Sequence, residues 1–266
     1  MTELRERVAT APGSASAPSI LTAAAAVYAG QLARVRAARG PLLFVATLQS
    51  LGIEVLLRGV VHNDGRSTAA AIVAGSTVLV AAFVGLNLLA QRFGALRAGG
   101  ALDYYAALPI SGASVVLGTT ASYATFAIPG ALLTVVVGTA MYGLSFTYLW
   151  LAVPTVIAAG IALSAVGAAI GLVLPRPELA TVAGQLAMTA ALFLGVIPPG
   201  HLPVGVRGVR DVLPSTYGVD ALAAALRGHP SAGGQLWRLA ATAGYAAAAL
   251  LLASRAFRRS VDRSHG

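Results

Sequence analysis

The spacing of its apolar residues limits this chain more than any other feature. They fall into about six blocks of roughly 20 residues, the length a helix needs to cross about 30 Å of hydrocarbon. Short segments rich in arginine, glycine and proline separate the blocks. Of 266 residues, 57% are hydrophobic and 10% are charged, whereas a soluble domain carries about 25% charge. A backbone in lipid must satisfy its own hydrogen bonds, and helices do so within one segment. The expected fold class is therefore an all-α integral membrane protein with six transmembrane helices.

Residues 1–19 mix charge with Ala, Pro and Ser and have no apolar run, which predicts a disordered cytoplasmic tail. Residues 20–39 read as an amphipathic connecting helix lying in the inner interface, with Leu21, Tyr28, Leu32 and Val35 on one arc and Gln31 and Arg34 off it. Gly40 and Pro41 close that helix and open the next. The six-span domain covers residues 41–254, followed by a cytoplasmic tail at 255–266. The spans run from Pro41 to Val60, Thr68 to Ala90, Ser114 to Ala140, Tyr148 to Leu174, Leu179 to Ile197 and Trp237 to Ser254. The third and fourth contain Pro129 and Pro154, and a kink or tilt absorbs their extra length. The segment from Gln91 to Ala113 is too polar and glycine-rich to span. Two short helices, roughly Gly205 to Val212 and Tyr217 to Arg227, precede the last span without crossing.

The net charge of +9 comes from 18 arginines, with no lysine, spread between apolar blocks. That distribution reports topology, not a nucleic-acid footprint, so no nucleic-acid partner is expected. With the N-terminus inside, twelve arginines fall on inner segments and six on outer ones. This bias predicts both termini in the cytoplasm. Trp150 and Trp237 then both sit at the outer interface, where indoles partition. The missing lysine also excludes a Walker A loop, whose lysine reaches the nucleotide phosphates. If ATP drives this protein, another polypeptide binds it.

Few residues here can do chemistry. His62, His201, His229 and His265 fall in loops or the tail, there is no cysteine, and no HExxH or GxSxG pattern occurs. Neither a metal site nor an enzyme of its own is expected. Within the spans the one well-placed acid is Glu54; Thr47, Ser50, Glu54 and Arg58 share a helix face, so Glu54 can pair with Arg58. This face reads either as the wall of a translocation path or as an ion pair sealing a helix contact. Asn87 and Gln91 suit hydrogen bonding between helices, and Gly160, Ser164, Gly167 and Gly171 form a small-residue face on the fourth span. The inner loop combines Arg92, Phe93, Leu96, Arg97, Asp103, Tyr104, Tyr105, Leu108 and Pro109. These residues suit either a soluble partner or anchoring at the interface.

Two stretches resemble a known family. Residues 92–118, RFGALRAGGALDYYAALPISGASVVLG, are similar to the inner loop "G-x-L-x-x-L-x-x-x-P-x-S" of ABC-2 type permeases, the membrane subunits of ATP-binding-cassette exporters. From Gly195, GVIPPGHLPVGVRGVRDVLPSTYGVDALAAALRG is similar to their "G-x-x-x-P…LP…LP-x-T-Y" region. The resemblance covers roughly residues 20–255 and leans to the small drug or antibiotic branch. It implies a coupling helix within residues 92–108 and re-entrant helices within 198–236. An outer gate would then include Pro198, Pro199, Pro203, Pro214 and Tyr217. It also implies separate ABC ATPase subunits that carry ATP and Mg, a second permease subunit, identical or paralogous, and surrounding membrane lipid. The function implied is outward movement of a hydrophobic or amphiphilic substrate, such as a drug, antibiotic or lipid-like molecule, across a bacterial cytoplasmic membrane. An ion- or proton-coupled transporter using Glu54 is the alternative. One departure is visible: where the family often has an acid at the start of the coupling helix, Arg92 and Arg97 precede Asp103.

Overall fold

A computed structural model describes residues 18–34, 39–60, 65–196, 203–228 and 230–264. Among them every regular element is helical, and six helices are long and apolar enough to cross a membrane. The elements are α1 (Ile20–Arg34), α2 (Arg39–Val60), α3 (Gly65–Ala98), α4 (Ala101–Ala106), α5 (Gly112–Met141), α6 (Ala152–Val173), α7 (Pro177–Val196), α8 (Val204–Val212), α9 (Pro214–Leu226) and α10 (Ala232–Ser264). The span helices are α2, α3, α5, α6, α7 and α10.

The spans agree with the apolar blocks, but several ends move. Helix α3 continues through Gln91, Arg92 and Arg97, so the first part of the expected inner loop is a helical extension of the second span. Polar side chains do not end a helix when they find partners. Here Arg97 Nη1 donates to the carbonyls of Leu172, Val173 and Leu174 at 3.1, 3.3 and 2.7 Å, satisfying orphan acceptors at the end of α6. The chain does stop at Gly99 and Gly100. The latter takes φ +67°, the left-handed conformation that glycine adopts without steric cost. The sixth helix extends to Ser264, well beyond Ser254. Pro154 lies in the first turn of α6, where its missing amide breaks no helical bond, so it is not the source of a kink; Pro129 is interior to α5.

Helix α3 is the axis of the bundle. Nearly all its residues from Ala70 to Ala90 are buried, and it packs against α2, α5, α6, α7 and α9. Close approach is achieved with glycine. A β-carbon on Gly167 would collide with the carbonyl oxygen of Gly85, and one on Gly171 would lie 2.5 Å from the carbonyl oxygen of Ala90. From the other side, a β-carbon on Gly184 of α7 would lie 2.5 Å from the carbonyl oxygen of Leu86. The small-residue face expected on the fourth span is thus a seam onto α3, continued by Gly160 against Ala124 of α5. Phe83–Leu88, within this seam, forms a π-helical turn, which widens α3 locally where two helices press on its backbone.

Helix α1 packs lengthwise on the first turns of α5: Ser114 Oγ donates to the carbonyl of Ile20 at 3.1 Å, and Gly118 admits the backbone of Ala24 and Tyr28. Its buried face differs from the expected arc. Ala23 and Gln31 are buried, and Leu21 is exposed. Tertiary contacts select this face: Gln31 finds a polar partner in Tyr105 of α4, whereas Leu21 faces outward. Exposed large apolar side chains occur on every span helix except α3, with runs on α2 (Phe44, Val45, Leu48, Val55, Leu56) and α7 (Leu179, Val182, Leu186, Phe193). Continuous apolar surface of this kind is covered by lipid or by another subunit.

Candidate functional site

Three places on this frame concentrate polar side chains. On α2, Thr47, Ser50 and Glu54 do share a face, and it turns into the protein. Ser50 Oγ donates to the carbonyl of Ser76 on α3. A β-carbon on Gly130 would lie 2.6 Å from Thr47 Oγ1, and one on Gly138 would lie 2.6 Å from Glu54 Oε1. Two glycines of α5 thereby make room for two polar side chains of α2. Glu54 is fully buried, and neither carboxylate oxygen has a hydrogen-bond partner. Neither oxygen is hydrogen-bonded to Arg58. The geometric reason is that the carboxylate points sideways into the Gly138 recess, while Tyr142 donates at 2.7 Å to the backbone carbonyl of Glu54. Ser50 and Glu54 are packed between helices, and Thr47, though buried, borders an apolar groove with Leu43, Leu48, Pro129 and Leu133.

The second place is the end of the bundle that gathers Arg34, Arg92, Arg97, Arg255 and Arg259. The nine residues expected to form a coupling element separate into four environments. Phe93 is fully buried and Leu96 nearly so, both in a core with Leu89, Leu102, Val115, Leu172 and Phe257, so they present no surface. Arg97 caps α6, as described above. Arg92 is half-buried and lines a cavity of about 270 Å³ with Gln31, Leu32, Leu42, Leu88 and Tyr123 among others. Only the α4 turn faces outward: Tyr104 is 67% exposed, Pro109 is exposed, and Asp103, Tyr105 and Leu108 are half-buried. Tyr104 and Tyr105 pack edge to face at 5.6 Å, and the Tyr105 hydroxyl accepts from Gln31 Nε2 at 3.2 Å. This turn is thus tied to α1. Ser111 ends it by capping α5, accepting from the Ser114 amide at 3.1 Å. Asn87 and Gln91 bond to each other within α3, Gln91 Nε2 donating to Asn87 Oδ1 at 2.6 Å, and not across helices as expected. A spacing of four residues on one helix already brings them together.

At the opposite end, α8 and α9 form a corner. Pro203 precedes α8, Pro214 opens α9 at its first position, and α9 is buried along almost all of its 13 residues. Pro198 and Pro199 lie outside the described residues. Tyr217 donates to the carbonyl of Asp211 at 2.9 Å and packs on Tyr245 at 5.6 Å. Burial first, and then Tyr245 and the carboxylates of Asp211 and Asp220, hold the Tyr217 phenol above its ordinary pKa. It therefore stays a neutral donor at physiological pH.

The strongest polar contact of this corner involves two residues that were not singled out from the sequence. Arg210, 3% exposed, donates through Nη2 and Nη1 to Asp220 Oδ1 and Oδ2 at 2.5 and 3.3 Å, and through Nε to the carbonyl of Leu194 on α7 at 3.1 Å. Thr216 Oγ1 closes the turn on the carbonyl of Arg210 at 2.6 Å, and Gln235 Nε2 ties α10 to the carbonyl of Ala221 at 2.8 Å. An arginine and an aspartate ten residues apart, flanking Leu213 and Pro214, was the available signal. It is weak, because only the corner turns that spacing into a contact.

No cluster of His, Asp or Glu suited to a metal forms among the described residues, and the four histidines lie outside them. A protein-family model described as "ABC-2 type transporter" matches residues 27–226, which take in α1 from its middle through α9. No curated protein matches the chain significantly.

Proposed function

Because the chain belongs to the ABC-2 type transporter family, a family of membrane transporter components, we propose that it is the permease subunit of an ATP-driven exporter, working with separate ATPase subunits and a second permease. The observation that carries this reading is the coincidence of the family match with six span helices and an outward-facing aromatic turn at the arginine-rich end. That end is assigned to the cytoplasm because cations are retained there. With no lysine in the chain, nucleotide binding of the Walker type falls to the partner.

In this reading the ATPase docks on the turn from Asp103 to Pro109, with Tyr104 as the protruding contact. Movement of the turn reaches the bundle through three fixed connections. Tyr105 is bonded to Gln31 of α1, Leu102 is packed against the core, and Ser111 caps α5. Rigid helices transmit such displacements because close-packed interfaces shift between discrete arrangements and do not deform smoothly. At the outer end the α8–α9 corner, held by Arg210 and Asp220, serves as the gate element. The substrate assigned is hydrophobic or amphiphilic and moves outward across a bacterial cytoplasmic membrane. Thr47, Ser50 and Glu54 contribute to a path only in a state where α2 and α5 separate.

Affinity purification from native membranes tests the proposal. Recovery of a Walker-motif ATPase whose hydrolysis changes on Tyr104→Ala is the expected result. Transport in vesicles containing this chain alone, driven by an ion gradient, would sink it and favour coupling through Glu54.

A further inference from the structure

The cavity beside Arg92 contains a charge without a counterpart. Nη2 of Arg92 is buried and has no hydrogen-bond partner. Taking a guanidinium nitrogen out of water without a compensating contact is costly, so such an atom marks a missing acceptor. Three of the four other polar side chains on the wall already donate within the protein, and Tyr123 is the fourth. Gln31 donates to Tyr105, Gln91 to Asn87 and Ser122 to the carbonyl of Thr119 at 2.7 Å. None of the lining residues is acidic. Arg92 is the one charged side chain among the described residues of the wall, so the cavity is positive and suits an anion.

The rest of the wall says what carries that anion. Leu32, Leu42, Leu88 and Phe126 are apolar, and Leu32, Leu42 and Leu88 are partly exposed, so an apolar side faces the exterior of the bundle. From Leu42 that side continues into the exposed Phe44, Val45 and Leu48 of α2. Arg92 itself sits where α3 changes from an unbroken apolar run to polar residues, the level of a membrane boundary. An ion free in water would gain nothing from the apolar side, whereas an anionic amphiphile matches both halves. Basic pockets between transmembrane helices bind acidic lipid headgroups on the same principle. We propose that this cavity, between α1, α2, α3 and α5, seats the headgroup of an anionic phospholipid, with the phosphate accepting from Arg92 and the acyl chains running out over Leu42 and the α2 face. About 270 Å³ accommodates a headgroup and leaves the chains in the bilayer. Through Gln31 the same cavity touches the contact that ties α1 to the α4 turn, so lipid occupancy stabilises that connection.

The test uses the full chain in its native assembly, reconstituted in vesicles of phosphatidylcholine doped with phosphatidylglycerol, with lipids retained after extraction counted by native mass spectrometry. Wild type should retain phosphatidylglycerol over phosphatidylcholine by at least about tenfold, the factor one charge-assisted contact confers. Arg92→Gln should abolish the preference, Arg92→Lys should keep part of it, and Leu42→Trp, which fills the apolar side while leaving Arg92 in place, should abolish it as well. Arg66→Gln, at the other end of the bundle, should leave it intact. In detergent free of acidic lipid, Arg92→Gln should melt no lower than wild type, and added phosphatidylglycerol should raise the melting temperature of wild type alone. Equal retention by wild type and Arg92→Gln overturns the proposal. So does equal loss in Arg66→Gln, or stabilisation by inorganic phosphate without any retained lipid.

Discussion

The guanidinium of Arg210 holds both carboxylate oxygens of Asp220, at 2.5 and 3.3 Å, across the Leu213–Pro214 corner, and the same side chain reaches back to the carbonyl of Leu194. One side chain thereby joins α8, α9 and α7 where the chain enters its last two short helices. Removing the acid leaves a buried arginine with half its contacts. Asp220→Ala should cost about 3 kcal/mol, at the lower end for breaking a buried pair because the Asp220 side chain is still 34% exposed. Replacing both partners, as Arg210→Met with Asp220→Leu, should recover most of that stability. Thermal unfolding of the four proteins of this cycle gives the coupling directly, and additivity of the two single changes would contradict the assignment.

The recess that receives Glu54 gives a second prediction. Gly138→Ala places a methyl group 2.6 Å from Glu54 Oε1 and 2.8 Å from Oε2, and should destabilise the protein by about 1–3 kcal/mol through overpacking. Glu54→Ala in that background should restore part of the loss, because the obstacle is the carboxylate itself. Glu54→Gln alone should be tolerated, since the native carboxylate has no hydrogen-bond partner to lose. The readout is the melting temperature of each purified variant. A Gly138→Ala protein as stable as wild type would show that the recess is not closed.

Backbone contacts are less forgiving than side-chain contacts, so Gly167→Ala should be worse than Gly138→Ala. Its methyl meets the carbonyl oxygen of Gly85, which cannot rotate away without breaking the π-helical turn of α3. Membrane levels of the variant should fall sharply. Gly30→Ala is the matched control, with nothing within 4 Å of the new methyl. It should instead stabilise α1 by about 0.5–1 kcal/mol, because alanine loses less backbone entropy than glycine in a helix.

The segment from Arg92 to Pro109 should divide into folding and contact residues. Phe93→Ala removes a fully buried ring and should cost about 3–5 kcal/mol, which is read as lost expression. Tyr104→Ala, on a side chain 67% exposed, should leave melting unchanged and reduce the transport-linked ATP hydrolysis of the assembled complex. If Tyr104→Ala lowers stability and leaves hydrolysis alone, the docking surface is elsewhere.

Where a feature depends on the chemistry of one continuous segment it was legible. Six apolar blocks became six span helices, and Thr47, Ser50 and Glu54 fell on one face because their spacing is helical. The small-residue face on the fourth span became a seam for the same reason. Helix ends were less legible, because Gln91, Arg92 and Arg97 are polar and yet helical, and the acceptors that keep Arg97 in place lie 75 to 77 residues away. The coupling segment has the pattern of one element, but the break at Gly99 and Gly100 divides it between α3 and α4. Phe93 and Leu96 turn into the core, and Tyr104 turns out.

The sequence by itself determined that the chain spans a membrane with six helices, where its arginines concentrate, and which residues within a helix stand together. Hydropathy and helical spacing are local, and both follow from the order of residues alone. Only the tertiary structure decided what each face meets. Glu54 lies against Gly138 and not in a hydrogen bond with Arg58, Asn87 is paired within its own helix, and Arg210 found Asp220. In each case the outcome depends on which neighbours lie within a few ångströms, and packing sets those distances.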